Sequence, residues 1–405
     1  MASRQVLLRW IVGCCWLCPV VAGICCLALV SQAAAAPAEL PVDESLSKLA
    51  PRIMAILRLE KFESDDDKQT LQKYFDNYFF PQWTRPPKQA AGKTDDHPER
   101  RAALFKFLRS ARPRSEPYDY LVDISLRKCR EMAWGEFDVG VRVNAMLTIG
   151  ELNFQESPRA VEPPIPLPAA VPVMVQAVAD PKQIDAVRVA ALAGLLRHAK
   201  LEGIKDPAHR KEVLTAMLGL VQAASVPPAR SPEGHAWMRA QAAAVLGCLG
   251  EIGANGIIAA ALADMAGERK LAFSARCAAA AALGSLRYQG AGNLDGMKLV
   301  QALASLAADA CEAEESQPVE GMQRRRRLRE RLAAVEKGLE GINNSKLLTT
   351  EEQKALYNTA NQTVQSLIEA IDDKKLPDDK LLESAAEARS KLAEALKKTG
   401  AKPVG

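Results

Sequence analysis

The chain has 405 residues, 48% hydrophobic and 25% charged, with aromatics at only 5% and a net charge of +4. That length could hold two or three domains, and the apolar content is ample for a core. Arg4 and Arg9 supply two of the four net charges, so the rest is close to balanced, which argues against a nucleic-acid binder resting on a broad positive field.

Residues 1–36 read as a leader outside the fold. Arg4 and Arg9 form a positive start, Ile11 to Val30 carry no charge, and Ser31-Gln32-Ala33-Ala34-Ala35-Ala36 offers small residues for cleavage. This is the layout of a secretory signal peptide, with the cut expected after Ala35. The alternative is a signal anchor, since about 20 uncharged residues can just cross a bilayer. In both readings the body is exported, to the periplasm or beyond, and touches the membrane only if the leader stays uncleaved. Cys14, Cys15, Cys18, Cys25 and Cys26 lie in this leader. The body keeps Cys129, Cys248, Cys277 and Cys311, with no CxxC pair; they read as small buried thiols, and zinc is not expected.

Residues 37–136 form a helical, aromatic-rich region of four helices. Pro51 opens a stripe of Ile53, Ile56 and Leu57. Ser64, followed by Asp65, Asp66 and Asp67, is a helix start: a side-chain cap with acids at the positive end of the dipole. Metal binding is the weaker reading, because three consecutive acids diverge around one turn. Between residues 37 and 154 stand 14 of the 18 aromatics outside the leader. That concentration suits a bulky core sealing one end of the molecule better than a carbohydrate or peptide groove. A loop from Arg85 to His97 and helices near 98–111 and 117–135 complete the region.

The middle, residues 137–315, repeats itself. Val141-Arg142, Val187-Arg188, Met238-Arg239 and Ala275-Arg276 open four segments, their arginines 46, 51 and 37 residues apart. Three residues past each arginine stands an alanine, namely Ala145, Ala191, Ala242 and Ala279; eight past it stand Gly150, Leu196, Gly247 and Gly284. Offsets of 3, 4, 7 and 8 share one helix face, so these small residues let a neighbouring helix approach closely. The expected helices alternate: 167–180 then 183–199, 207–224 then 235–252, 256–266 then 271–288, and a last one from Leu294 to about Glu314. Pro163-Pro164, Pro227-Pro228, Gly253 and Gly290 punctuate them. An arginine at a helix start opposes the dipole, so an acid from the preceding turn should compensate it: Asp138 for Arg142, Asp180 for Arg188, Asp264 for Arg276.

These segments resemble the HEAT-repeat (armadillo-like) family, including its bacterial subset similar to phycobilin-lyase-type repeats. The run from Met238-Arg239 through Ala242 to Leu246-Gly247, and Asp180-Pro181 followed by Val187-Arg188, carry the resemblance. It implies an α-solenoid over residues 137–315, with Asp and Arg bridging turns and the second helices lining a binding face. Some members of that family are lyases, but no residue here carries such chemistry on its own.

Residues 316–405 carry three narrow stripes: Leu328, Leu332, Val335, Leu339, Ile342; then Leu356, Ala360, Val364, Leu367, Ile371; then Leu381, Ala385, Ala388, Leu392, Leu396. They suit helical hairpins or an antiparallel coiled-coil-like bundle, with turns at Asn343-Asn344-Ser345 and Leu376-Pro377. Arg324, Arg325, Arg326 and Arg327 open the first of these helices. They are the one candidate patch for an anionic partner, with pairing to nearby acids such as Glu312, Glu314 and Glu315 as the favoured alternative.

The fold expected is all-α: a solenoid with a helical cap at one end and helical hairpins at the other. His97, His198, His209 and His235 show no HExxH spacing and read as surface or helix-end residues; no Walker loop or GxSxG is present. The function expected is an exported, noncatalytic scaffold or adaptor that binds another protein, without cofactor, metal or nucleic acid. Alternatives are a signal-anchored envelope protein, and a repeat protein with lyase-like or anionic-polymer-binding activity.

Overall fold

A computed structural model describes residues 37–86, 96–157, 162–289, 294–316, 321–343 and 345–400. The leader, the middle of the loop expected over 85–97, and the turn residues Gly290 and Asn344 lie outside the described residues. From Glu39 onward the described residues form one compact, almost entirely helical unit.

Helix α1 (Ala50–Ile56) buries Ile53 and Ile56. Helix α2 (Asp65–Tyr74) starts where Ser64 accepts the Asp67 amide, so the acid run is a helix start. Asp66 and Asp67 bind Arg52 at 2.6 and 3.0 Å. The chain then widens into a π-type turn, Phe75–Phe79, followed by a tight turn, Pro81–Thr84. That irregular stretch packs Phe75 and Phe79 against Phe107 of α3 (His97–Ser110), with Phe80 and Trp83 lying behind Phe79. Ring centroids lie 5.2–6.1 Å apart and mostly edge to face, the arrangement the ring quadrupoles prefer. The aromatics are thus core, not the lining of a groove. Helix α4 (Glu116–Trp134) comes next, capped by Ser115.

Beyond it lie α5 (Val139–Glu151), α6 (Ala170–Ala179), α7 (Asp185–Lys200), α8 (Pro207–Gln222), α9 (Pro232–Leu249), α10 (Ile257–Gly267), α11 (Phe273–Leu283) and α12 (Gly296–Ser316). Helix α9 starts three residues before the expected His235, because Ser231 caps it and Pro232 takes the first helical position, where no amide is needed. It stops at Gly250, whose φ of +71° is left-handed backbone suited to glycine. Helix α11 ends at Leu283, well short of Tyr288. A short antiparallel ladder departs from the all-helical reading: β1 (Asn153–Gln155) pairs with β2 (Ile165–Pro166) between α5 and α6. Pro163 and Pro164 forbid a helix there, and extended chain is the remaining option.

The helices pack in two interleaved series. Helices α5, α7, α9 and α11 each pack on the next of that set. So do α6, α8, α10 and α12, while each arginine-bearing helix also packs on the helix before it. Both series continue past residue 316. Helix α13 (Met322–Asn343) packs on α11 and α12, and α15 (Asp378–Lys398) packs on α12 and on α14 (Glu351–Asp372). The three expected stripes are buried, apart from Leu396, which is half-buried.

Candidate interaction surface

The four repeat arginines share one geometry. Each donates to the carbonyl of the penultimate residue of the preceding helix. Arg142 reaches Ala133 of α4, Arg188 reaches Val178 of α6, Arg239 reaches Val221 of α8, and Arg276 reaches Ala266 of α10. The last carbonyls of a helix have no partner of their own and carry its negative pole. Each guanidinium is therefore met by a helix end together with a side chain other than the acid expected from the preceding turn; Arg188, for example, also lies 3.5 Å from Asp185. Asp138 caps the Gly140 amide, Asp264 pairs with Lys298, and Asp180 accepts from Trp134 Nε1 and the Lys182 amide. The same device recurs at Gly150, capped by Arg197, and at Ile371, capped by Arg325.

A second polar link ties each turn to the next. Arg142 donates to Gln183, Asp185 takes a two-pronged bond from Arg230, Arg239 grips both oxygens of Glu268, and Arg276 binds Asp309. The Arg230 guanidinium holds the Asp185 carboxyl below the usual carboxylate range. Sequence reasoning placed the arginines but missed Gln183, Arg230, Glu268 and Asp309, because their offsets from the arginines keep no fixed period.

Small residues close the seams between the arginine helices. A Cβ on Gly150 would lie 2.7 Å from the Cα of Gly194. One on Gly247 would meet Ala282 at 2.9 Å, and one on Gly284 would lie 2.0 Å from the Lys337 carbonyl oxygen. Ala242 and Ala279 are fully buried in the same series.

The arginine run of α13 is spent internally. Arg324 pairs with Asp378, Arg325 caps the end of α14, and Arg327 joins Arg331 on Glu314, whose side chain is 0% exposed. Only Arg326 of the four points to water, 82% exposed, and it meets Glu330. The favoured pairing with a nearby acid is present at Glu314, and the candidate anionic patch is reduced to one surface cation; burying the stripe from Leu328 turned the other arginines toward neighbouring helices.

The arginine helices leave one side free. Their exposed or half-buried positions there are Val139, Val143 and Leu147 on α5, and Ala186, Val189, Ala193 and Leu196 on α7. Trp237, Gln241, Ala244 and Cys248 continue the strip on α9, then Ser274, Ala278 and Ala281 on α11. These are single helix faces at spacings of 3 and 4; none of these mid-face residues is charged, and Glu151, Lys200 and Glu233 extend the same faces at the helix ends. Trp237 stands 40% exposed. The strip ends at α13, where Arg326, Glu330, Lys337 and Glu340 face solvent.

On the other series, a groove of about 1050 Å³ runs between α10, α12 and α15 over Ala302, Ser305 and Ala308. Its charges largely satisfy one another: Asp264 with Lys298 at 2.6 Å, and Arg269 with Asp309 and Glu312 at 2.8 and 2.6 Å.

Two readings of single residues change. His198 is fully buried, not at the surface, and His97 and His235 are buried too; His209 is half-buried. Cys248 is exposed, unlike Cys129 and Cys311. Burial pushes the Cys277 thiol up to about 11 and Cys311 to about 12. Among the described residues no three His, Cys, Asp or Glu side chains gather as a metal site, and no helix is long and apolar enough to cross a membrane. No family model, curated protein or solved structure matches the chain.

Proposed function

We propose that this chain is an exported, noncatalytic scaffold: an α-solenoid of HEAT-like helical pairs that binds another protein on the free side of α5, α7, α9 and α11. The interleaved packing of alternate helices supports the solenoid reading, as do the arginine links from turn to turn. Such a stack gains its core only by stacking and leaves a long face for a partner. The uncharged strip centred on Trp237 carries the binding reading. Interface centres are depleted of charge, and exposed tryptophan is the residue type most enriched among binding hot spots. Export rests on the leader of residues 1–36.

The test is capture by crosslinking from a native extract with three proteins: wild type, Ala244→Glu and Arg326→Ala. A charge buried in the strip should remove a partner that the Arg326 variant retains. Equal capture by all three proteins would sink the reading.

A further inference from the structure

Gly150 of α5 and Gly194 of α7 touch backbone to backbone. One helical turn beyond Gly194, on the same face of α7, stands His198. Its side chain is 0% exposed, and neither ring nitrogen completes a hydrogen bond. The Gly150 carbonyl beside it is taken by Arg197 Nη1 at 3.1 Å, while Arg197 Nη2 holds Asn153 Oδ1 at 2.7 Å. The Gly150 carbonyl lies close enough to lend the imidazole some support as a cation, yet burial and the neighbouring Arg197 outweigh it and favour the neutral form.

The elements packed on α7 supply no counter-charge. Helix α6 has no titratable residue. Helix α5 brings Arg142, spent on Ala133 and Gln183, and Glu151, which acts on Arg197 together with Glu156 of the hairpin region. Helix α9 brings Glu233, His235 and Arg239 at its start, and Cys248 at the surface near its end.

We propose that the α5–α7 joint is an acid-opened hinge, with His198 as the group whose protonation parts the two helices. Burial, and then the Arg197 charge, lower the imidazole from 6.5 to about 4. The opened form regains the ordinary value, so it takes the proton first as pH falls. Closure is fully favoured above pH 6.5 and weakens progressively toward pH 4. With those two values the open population rises roughly tenfold by pH 5.5 and about 75-fold by pH 4.5. Residues up to 151 would then loosen from α7 and the helices after it, tethered by the β1–β2 segment. The hinge is independent of any docking on the free side.

Hydrogen exchange of the full chain, corrected for intrinsic rates, tests it at pH 7.5 and 5.5. Peptides within 141–156 and 187–200 should lose roughly tenfold protection in the wild type and none in His198→Leu, while 257–283 holds in both. Equal loss in the two proteins, or no loss in the wild type, overturns the proposal. Should His198→Leu fail to fold, ring titration of the wild-type histidines by NMR decides. One imidazole should titrate below pH 5; four ordinary midpoints overturn the hinge.

Discussion

Replacing Gly284 by alanine should push α11 and α13 apart. The residue has ordinary right-handed backbone, φ −66°, so the new methyl adds no torsional strain. In a helix the change alone would stabilise by about 0.5–1 kcal/mol. Here the methyl would sit 2.0 Å from the Lys337 carbonyl oxygen, against a floor near 3.0 Å for real contacts. The partner is backbone, so no side-chain rotation relieves it. Helix α13 must move by about an ångström, and Gly341, which also packs on Gly284, moves with it. Overpacking of this kind costs about 1–3 kcal/mol. Gly219→Ala is the control, since nothing lies within 4 Å of a methyl there, in the last turn of α8; it should gain part of the propensity term. Urea unfolding monitored by circular dichroism should place the two variants on opposite sides of the wild type. If Gly284→Ala is as stable as the wild type, the close approach of α11 and α13 is not a real constraint.

Arg239 is 3% exposed and serves both Val221 and Glu268. Arg239→Met should cost about 3–5 kcal/mol by stranding a part-buried carboxylate. Adding Glu268→Gln should recover part of that in the same unfolding assay, and a double variant no better than the single would count against the pair. Thiol labelling of the native protein at pH 8 should modify Cys248 first and Cys277 more slowly, sparing Cys129 and Cys311, whose thiols burial holds above the ordinary range; mass spectrometry of the digested protein reads the order. A bound partner should slow the Cys248 reaction, because that sulfur stands in the uncharged strip. Expression in an exporting host should yield a chain that begins at Ala36. An intact Met1 on a membrane-bound product would favour the anchor instead.

Helix positions were legible because they rest on local signals. Ser64 with three acids and the stripe from Leu328 to Ile342 each act within a few turns, whereas α9 stops at Gly250 and not near the expected Gly253. The seams were legible from the late glycines Gly194, Gly247 and Gly284, although Gly194 stands six residues past its arginine and not at the repeat offset of eight, where Leu196 falls. The partners of the arginines were not legible. A guanidinium at a helix start invites a search for a carboxylate nearby in sequence, yet the acceptor shared by all four is the carbonyl end of the previous helix. Backbone acceptors carry no residue identity, so no motif can announce them. The same limit covers part of the arginine run of α13: pairing with nearby Glu314 was legible, while the end of α14 and Asp378, 46 and 54 positions away, were not. What distinguishes the free side of α5, α7, α9 and α11 is likewise a property of assembled faces. Ala193, Trp237, Gln241 and Ala281 are ordinary singly, and only their alignment makes a strip without charge.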